Sequence, residues 1–130
     1  MKSTIRAAIY ARFSSDLQNE KSCEDQISYC ERWAEQQGMF VAASFADEAV
    51  SGASAHNRPR LAAMLHLARE KRFEVLICED LDRLARKQAD LHHIRDELTF
   101  LGIKIMTVSD GTVTAMSAGL KGLMSEMFLT

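Results

Sequence analysis

Four short, mostly apolar runs alternate along this chain with stretches whose apolar residues recur every three or four positions. The runs lie at 7–11, 39–45, 75–78 and 103–108. The first and third are apolar at every position, which is typical of strands covered on both faces of a parallel sheet. The pattern therefore predicts four strands separated by helices.

Each of the three intervening stretches has the boundaries expected of a helix. The first begins at a Ser22-x-x-Asp25 capping box and ends at Gly38, the second begins at Pro59, and the third ends at Gly102. Their apolar positions are Cys23, Ile27, Cys30 and Ala34 in the first, Leu61, Met64, Leu65 and Ala68 in the second, and Leu91, Ile94, Leu98 and Leu101 in the third. One apolar face on each helix predicts packing against the sheet.

The end of the chain adds two further elements. Residues 112–114 predict a short edge strand, and a helical stripe follows that runs to the last residue without a cap. The stripe consists of Met116, Leu120, Leu123, Met124 and Met127. We predict an α/β domain over 1–114, with a mostly parallel sheet of four to five strands flanked by helices. A long C-terminal helix starts within 115–130, as in a piece of a longer protein.

Composition narrows the class of protein. The chain has 130 residues, of which 47% are hydrophobic and 26% charged, as in a single globular domain. The absence of a membrane-length apolar run and of a signal-peptide core predicts a cytoplasmic protein with no membrane partner. The three cysteines and four histidines lack metal-ligand spacing, so no metal is predicted. Because the net charge is −2, any affinity for nucleic acid must be local or supplied by another part of the protein.

Polar clusters follow three of the predicted strands. They are Arg12, Ser14 and Gln18 after the first strand, Asp47, Ser51 and Arg58 after the second, and Asp82, Arg83 and Arg86 after the third. The carboxyl ends of parallel strands meet at one edge of a sheet, so these clusters should converge there. We expect four arginines and a serine at one edge to require an anionic partner, for which a phosphate is the natural choice.

The same residues suggest a chemistry. A serine hydroxyl is a weak nucleophile, and nearby cations favour its reactive form. We take Ser14 as the candidate nucleophile and Arg12 as its closest electrostatic partner. Guanidinium groups stabilise charge on phosphate oxygens and so can replace a metal ion, while Asp82 can orient an arginine or help to move a proton.

The motifs Tyr10-x-Arg12-x-Ser14-x-x-x-Gln18, Asp47-x-x-x-Ser51-Gly52 with a later Arg58, and Asp82-Arg83-x-x-Arg86 follow one another in this order. Together they resemble the catalytic domain of the serine recombinases, the resolvase/invertase family. The match covers nearly the whole chain. The long loop between Gln18 and Gln26 fits the large-recombinase or transposase branch better than the small resolvases.

The resemblance implies a site-specific DNA recombinase that forms a 5′-phosphoserine intermediate on Ser14. The residues implied around the scissile phosphate are Arg12, Arg58, Arg83, Arg86 and Asp82, and those implied in support are Tyr10, Gln18, Gln26, Asp47 and Ser51. It implies no metal or nucleotide cofactor. It also implies a homodimer formed through the helix at 115–130, a synaptic homotetramer, and a C-terminal DNA-binding region that this chain lacks.

Several alternatives remain open at this stage. The neighbouring residues that compete for a role are Glu48 with Asp47, Ser15 with Ser14, and Arg60 with Arg58. The pair Asp82 and Arg86 also has the spacing of a surface ion pair on a helical turn. The alternative function is a non-catalytic α/β module that binds an anion or a protein and keeps only the recombinase fold; a serine phosphohydrolase is a weaker variant.

Overall fold

The computed structural model describes residues 5–13, 22–48, 58–85, 87–109 and 111–112. Its elements are β1 (Ile5–Arg12), α1 (Cys23–Gln36), β2 (Met39–Asp47), α2 (Pro59–Arg69), β3 (Val75–Cys78), α3 (Leu81–Leu84), α4 (Gln88–Phe100), β4 (Lys104–Thr107) and β5 (Gly111–Thr112). The sheet order is β2-β1-β3-β4-β5. The first four strands are parallel and β5 is antiparallel to β4, which confirms the predicted α/β fold.

The sheet has a helical layer on each face. On one face, α1 packs Cys30 and Ala34 against Ile9 and Ile77. On the other face, α2, α3 and α4 cover a larger core that includes Tyr10. Because both faces of β1 and β3 are covered, their side chains are apolar at successive positions.

The helix boundaries follow the predicted signals. Ser22 caps α1 by accepting a hydrogen bond from the backbone N–H of Asp25 at 3.1 Å. Gly38 and Gly102, which follow α1 and α4, have φ angles of +76° and +79°. This left-handed conformation favours glycine, because a side chain would be strained there. Pro59 opens α2 as predicted.

Two features differ from the prediction, and a third is only partly described. The first strand continues to Arg12 and the second to Asp47, because the polar residues that follow the apolar runs still pair in register, Arg12 opposite Asp47. The one-turn helix α3 was not predicted, since four residues are too few to show a periodic apolar pattern. Of the predicted edge strand at 112–114, the structure describes only its first residue, within β5.

The cysteines are core residues, as predicted. Cys23, Cys30 and Cys78 are all buried. Burial raises the pKa of the Cys78 thiol well above its usual value, because the charged thiolate is disfavoured in a low dielectric. No helix within the described ranges is long and apolar enough to cross a membrane. The predicted helix at 115–130 lies outside the described residues.

Candidate active site

The ends of β1 and β2 bring two of the predicted clusters side by side. Arg12 and Asp47 are register partners at the carboxyl ends of their strands. The backbone N–H of Phe13 extends the ladder by donating to the Asp47 carbonyl at 3.0 Å. The segment that leads from β1 toward Ser14 therefore starts from a fixed position on the sheet.

Gln26 on α1 secures the last residue of β1. The backbone N–H of Arg12 donates to the Gln26 side-chain oxygen at 3.2 Å, and the Gln26 amide nitrogen donates to the Arg12 carbonyl at 2.9 Å. The side-chain amide thus pairs with both backbone groups of Arg12, as a neighbouring strand would. This contact explains how a fully buried glutamine is satisfied.

The Asp47 carboxylate is the hydrogen-bonding centre of this edge. It accepts from the Tyr10 hydroxyl at 2.7 Å and from the backbone N–H groups of Arg60 and Leu61, both at 3.0 Å. The latter two belong to the first turn of α2, where a negative charge is favourable and the N–H groups need acceptors. Glu48 is exposed, so Asp47 is the carboxylate built into the site.

Tyr10 links Asp47 to Arg58. Its hydroxyl donates to Asp47 and accepts from Arg58 Nε at 3.0 Å. The pKa of Tyr10 is raised strongly, chiefly because burial disfavours the phenolate; the hydrogen bond to Asp47 adds to the rise, whereas the Arg58 charge opposes it. Tyr10 therefore stays neutral and orients its two partners.

Arg58 is a buried residue of the site. Only 2% of it is exposed, and its Nη2 donates to the Arg83 carbonyl at 3.2 Å and to the Leu84 carbonyl. Its guanidinium also lies over the Tyr10 ring, 5.2 Å from the centroid. Arg60 is exposed and lies over a different aromatic ring. The structure thus separates the two arginines that the sequence left as alternatives.

Arg12 contacts the same short helix. It is fully buried, and it donates from Nε to the Arg83 carbonyl at 3.3 Å and from Nη2 to the Asp82 carbonyl at 2.7 Å. Arg12 and Arg58 thus hold the carbonyls at the end of α3. Backbone carbonyl dipoles thus offset part of the charge of these two arginines, and the expectation of a phosphate partner stays a prediction.

The third arginine lies on α3 itself. Arg83 Nη2 pairs with Glu79 Oε1 at 3.0 Å, and both side chains are only 12% exposed. The side chain of Asp82 is exposed, while its backbone N–H donates to Asp80 and its carbonyl accepts from Arg12. The guanidinium groups of Arg12 and Arg58 therefore meet at the Arg83 carbonyl, while the Arg83 guanidinium pairs with Glu79. Guanidinium groups are donors of the kind that bind phosphate oxygens.

Comparison with known proteins identifies the domain. The family described as "Resolvase, N terminal domain" matches residues 7–129. The chain belongs to this resolvase family. No significant match was found among the curated proteins.

Solved structures of recombinases resemble this resolvase-family domain. The N-terminal catalytic domain of TP901-1 integrase has 25% sequence identity and a TM-score of 0.75, and the match covers 95% of this chain and 93% of that one. The C-terminal catalytic domain of ISC1926 TnpA, an IS607-like serine recombinase, has 30% identity and a TM-score of 0.70, with 95% and 80% covered. A resolvase family site-specific recombinase from Streptococcus pneumoniae shares the fold at 22% identity and a TM-score of 0.75, with 95% and 87% covered.

Several predicted site residues of this resolvase-family domain are not described by the structure. They are Ser14, Gln18, Ser51 and Arg86, together with the alternative nucleophile Ser15. Their roles, and the proposed ion pair between Asp82 and Arg86, stay predictions. The described members of the predicted set are Tyr10, Arg12, Gln26, Asp47, Arg58, Asp82 and Arg83, which all lie at one edge of the sheet.

Sequence reasoning missed two residues that shape this edge. Asp80 caps α3 by accepting from the backbone N–H of Asp82 at 2.8 Å, and Glu79 pairs with Arg83. Both had a local signal in the sequence. An aspartate directly before Leu81 is a favoured N-cap, and a glutamate four residues before an arginine has the spacing of a helical ion pair.

Proposed function

We propose that this resolvase-family domain cleaves and rejoins DNA through a covalent 5′-phosphoserine on Ser14. The observation that carries the proposal is the meeting of the Arg12 and Arg58 side chains at the Arg83 carbonyl, at the carboxyl edge of the sheet and beside the strand end from which the chain leads to Ser14 two residues later. Membership of the family and likeness to recombinase catalytic domains support it.

The proposed reaction exchanges one phosphoester for another. The Ser14 oxygen attacks the scissile phosphorus and loses its proton, a new Ser–O–P bond forms, and the bond from phosphorus to the 3′ oxygen breaks. The leaving 3′ oxygen takes up a proton, with Asp82 in support. For rejoining, a 3′ hydroxyl attacks the phosphoserine and releases the serine. Because the phosphoester is conserved, the reaction requires no nucleotide as an energy source.

The arginines supply the electrostatic part of this mechanism. As Ser14 attacks, negative charge gathers on the non-bridging oxygens, where planar guanidinium groups form strong hydrogen bonds. Arg12, Arg58 and Arg83 are the described candidates, and Arg86 is the fourth proposed member. Removing one such donor commonly costs about 3–4 kcal/mol of transition-state stabilisation.

The remaining members of the set support these arginines. Gln26 fixes the backbone of Arg12, and Tyr10 joins Asp47 to Arg58. Their proposed role is to keep the guanidinium groups near the phosphate without contacting it. Gln18 and Ser51 complete the supporting set that we propose.

We further propose that different segments of the whole protein have different roles. The catalytic domain spans 1–114, the helix that starts in 115–130 forms a homodimer, and two dimers bound to DNA form a synaptic homotetramer in the cytoplasm. A further C-terminal region supplies most of the DNA affinity. The net charge of −2 supports this part of the proposal, because a domain that bound DNA alone would carry a basic excess.

One observation favours a second candidate function. Arg12 and Arg58 already donate to backbone carbonyls, as they would in a non-catalytic module that keeps the fold for binding alone. Such a module would bind DNA or another anion without forming a covalent bond. The two candidates therefore differ in one product, a covalent protein–DNA adduct.

The test uses the protein expressed from its complete reading frame and end-labelled fragments of genomic DNA from its own host. Reactions are stopped with detergent, and labelled DNA that stays attached to denatured protein is measured on a gel. We expect the wild type to form this adduct, Ser14→Ala to lose it to background while still binding DNA, and Ser15→Ala to retain it as the matched control. Undiminished adduct from Ser14→Ala would refute the assignment, and absence of adduct from the wild type would favour the non-catalytic module.

A further inference from the structure

The ion pair between Glu79 and Arg83 is short and largely buried. Its nitrogen and oxygen lie 3.0 Å apart, and each side chain is 12% exposed. By contrast, the pair between Arg69 and Glu97, at 2.6 Å, has side chains that are 55% and 32% exposed. Because partial burial reduces screening by water, the Glu79 contact constrains its arginine more strongly than a surface pair does.

The two partners lie on elements of different intrinsic stability. Glu79 directly follows β3, and its carbonyl accepts from the Ser109 backbone N–H at 3.4 Å, one step beyond the bond from Val108 N–H to the Cys78 carbonyl at 3.1 Å. Glu79 is therefore anchored to the sheet. Arg83 lies on the four-residue helix α3, and a helix of one turn has almost no stability of its own.

External contacts therefore set the position of α3. Asp80 caps its start, while Arg12 and Arg58 hold the carbonyls at its end. These contacts fix the backbone of the turn. The bond from the Arg83 guanidinium to Glu79 ties this side chain to the sheet.

We propose that Glu79 is a positioning residue of the recombinase site, which holds the Arg83 guanidinium for the scissile phosphate. The inference rests on the proposed function, since it assigns Arg83 a phosphate to meet. A fixed guanidinium loses less conformational freedom when it binds its target than a free side chain does. Glu79 then acts through Arg83 and does not touch DNA.

The test compares rates of adduct formation at saturating DNA, with the full-length protein and labelled genomic fragments. Glu79→Gln keeps the shape and removes the charge, and we expect its rate to fall about tenfold or more, as loss of a charged hydrogen bond implies. The dissociation constant for DNA should change by less than about twofold, because Glu79 does not contact DNA. Glu79→Asp keeps the charge and should recover part of the rate.

The decisive arm places Glu79→Gln in an Arg83→Ala background, with incubations long enough to measure slow adduct formation. If Glu79 acts through Arg83, the second substitution adds no further loss. Glu97→Gln, which breaks the exposed pair with Arg69, is the matched control and should leave the rate unchanged.

The outcomes separate this inference from the proposed function. An unchanged rate in Glu79→Gln, or an equal loss with and without Arg83, overturns the positioning role even though the wild type forms adduct. If Glu79→Gln does not fold, a rate in folded Glu79→Asp no higher than that of Arg83→Ala also overturns it. Absence of adduct from the wild type overturns the proposed function and the inference with it.

Discussion

Two arginines on the same strand, Arg6 and Arg12, show how different the two edges of this sheet are. Arg6 pairs with Glu74 at the amino edge, where both side chains are 45% exposed. Their hydrogen bond raises the pKa of Arg6 and lowers the pKa of Glu74, as expected for a solvated ion pair. Arg12 at the carboxyl edge is fully buried and donates to two backbone carbonyls.

The exposed pair at the amino edge and the buried arginine at the carboxyl edge differ in what they contribute to stability. An exposed ion pair forms at little cost because water still solvates both groups, and it adds little to folding. Burying a guanidinium costs on the order of several kcal/mol, which carbonyl dipoles only partly offset. The arrangement at the carboxyl edge is therefore a poor way to stabilise a domain, and contact with an anion is the role that the proposed function gives these arginines.

The largest expected effect is that of the substitution Arg12→Lys on the rate of catalysis. A lysine ammonium does not reproduce the two separate donors that reach the Arg83 and Asp82 carbonyls, nor a planar contact with phosphate. We expect adduct formation to slow about 100- to 1,000-fold, the usual cost of losing one donor to a developing charge. The measurement is the single-turnover rate with labelled DNA.

Arg6→Lys is the control that makes this comparison informative. It changes the same residue type on the same strand but at the exposed edge, and we expect the rate and the thermal stability to stay close to those of the wild type. If the two substitutions slow the reaction equally, the carboxyl edge has no special role.

A smaller effect is expected from Asp47→Asn, which should lower the stability of the fold. One carboxylate oxygen is replaced by an amide NH2 group, which is a donor and faces the existing donors of Tyr10 and the first turn of α2. We expect the free energy of unfolding to fall by about 2–3 kcal/mol, because charged hydrogen bonds at a helix N-terminus are lost. Urea denaturation at neutral pH measures this change.

Glu48→Gln is the matched control for Asp47→Asn. Glu48 is exposed, and such surface substitutions usually change stability by less than about 0.5 kcal/mol. A loss from Glu48→Gln as large as that from Asp47→Asn would contradict the assignment of Asp47 as the structural carboxylate.

The smallest effect concerns the pH dependence of stability. The pKa of Tyr10 is raised in the folded protein, whereas an unfolded tyrosine ionises near pH 10. Its contribution is therefore fully present below about pH 10 and is lost as the pH rises through the folded value, because only the unfolded chain releases the proton. We expect unfolding free energies of the wild type to fall more steeply above pH 10 than those of Tyr10→Phe. Parallel curves would show that Tyr10 does not titrate in this way.

Much of the fold was readable from the sequence. Continuous apolar runs marked the buried strands, and Ser22, Gly38, Pro59 and Gly102 marked helix boundaries through local backbone preferences that tertiary contacts did not override. Helix α3 was missed because it has no periodicity, and its stability comes from Arg12 and Arg58, which are distant in sequence.

For the described part of the candidate site, the sequence predicted that its residues lie at one edge of the sheet but did not predict their contacts. That several strand ends would meet follows from parallel topology, and the choice of Asp47 over Glu48 follows from alternation, since Phe45 and Asp47 share a face. Arg12 and Arg58 donate to backbone carbonyls. The positions of these acceptors depend on the folded backbone, so no pattern of side chains in the sequence predicts them. Glu79 and Arg83 have the spacing of a helical ion pair, but only their burial in the structure distinguishes this pair from an ordinary surface pair.

The most direct test of the account locates the covalent nucleotide. Trypsin releases residues 13–21, a peptide with two serines, from the detergent-stopped adduct after nuclease digestion. Fragmentation of this peptide by mass spectrometry distinguishes Ser14 from Ser15. The account predicts a nucleotide joined through phosphate to Ser14; a nucleotide on Ser15 or on any other residue, or an unmodified peptide from a reaction that cleaves DNA, would contradict it.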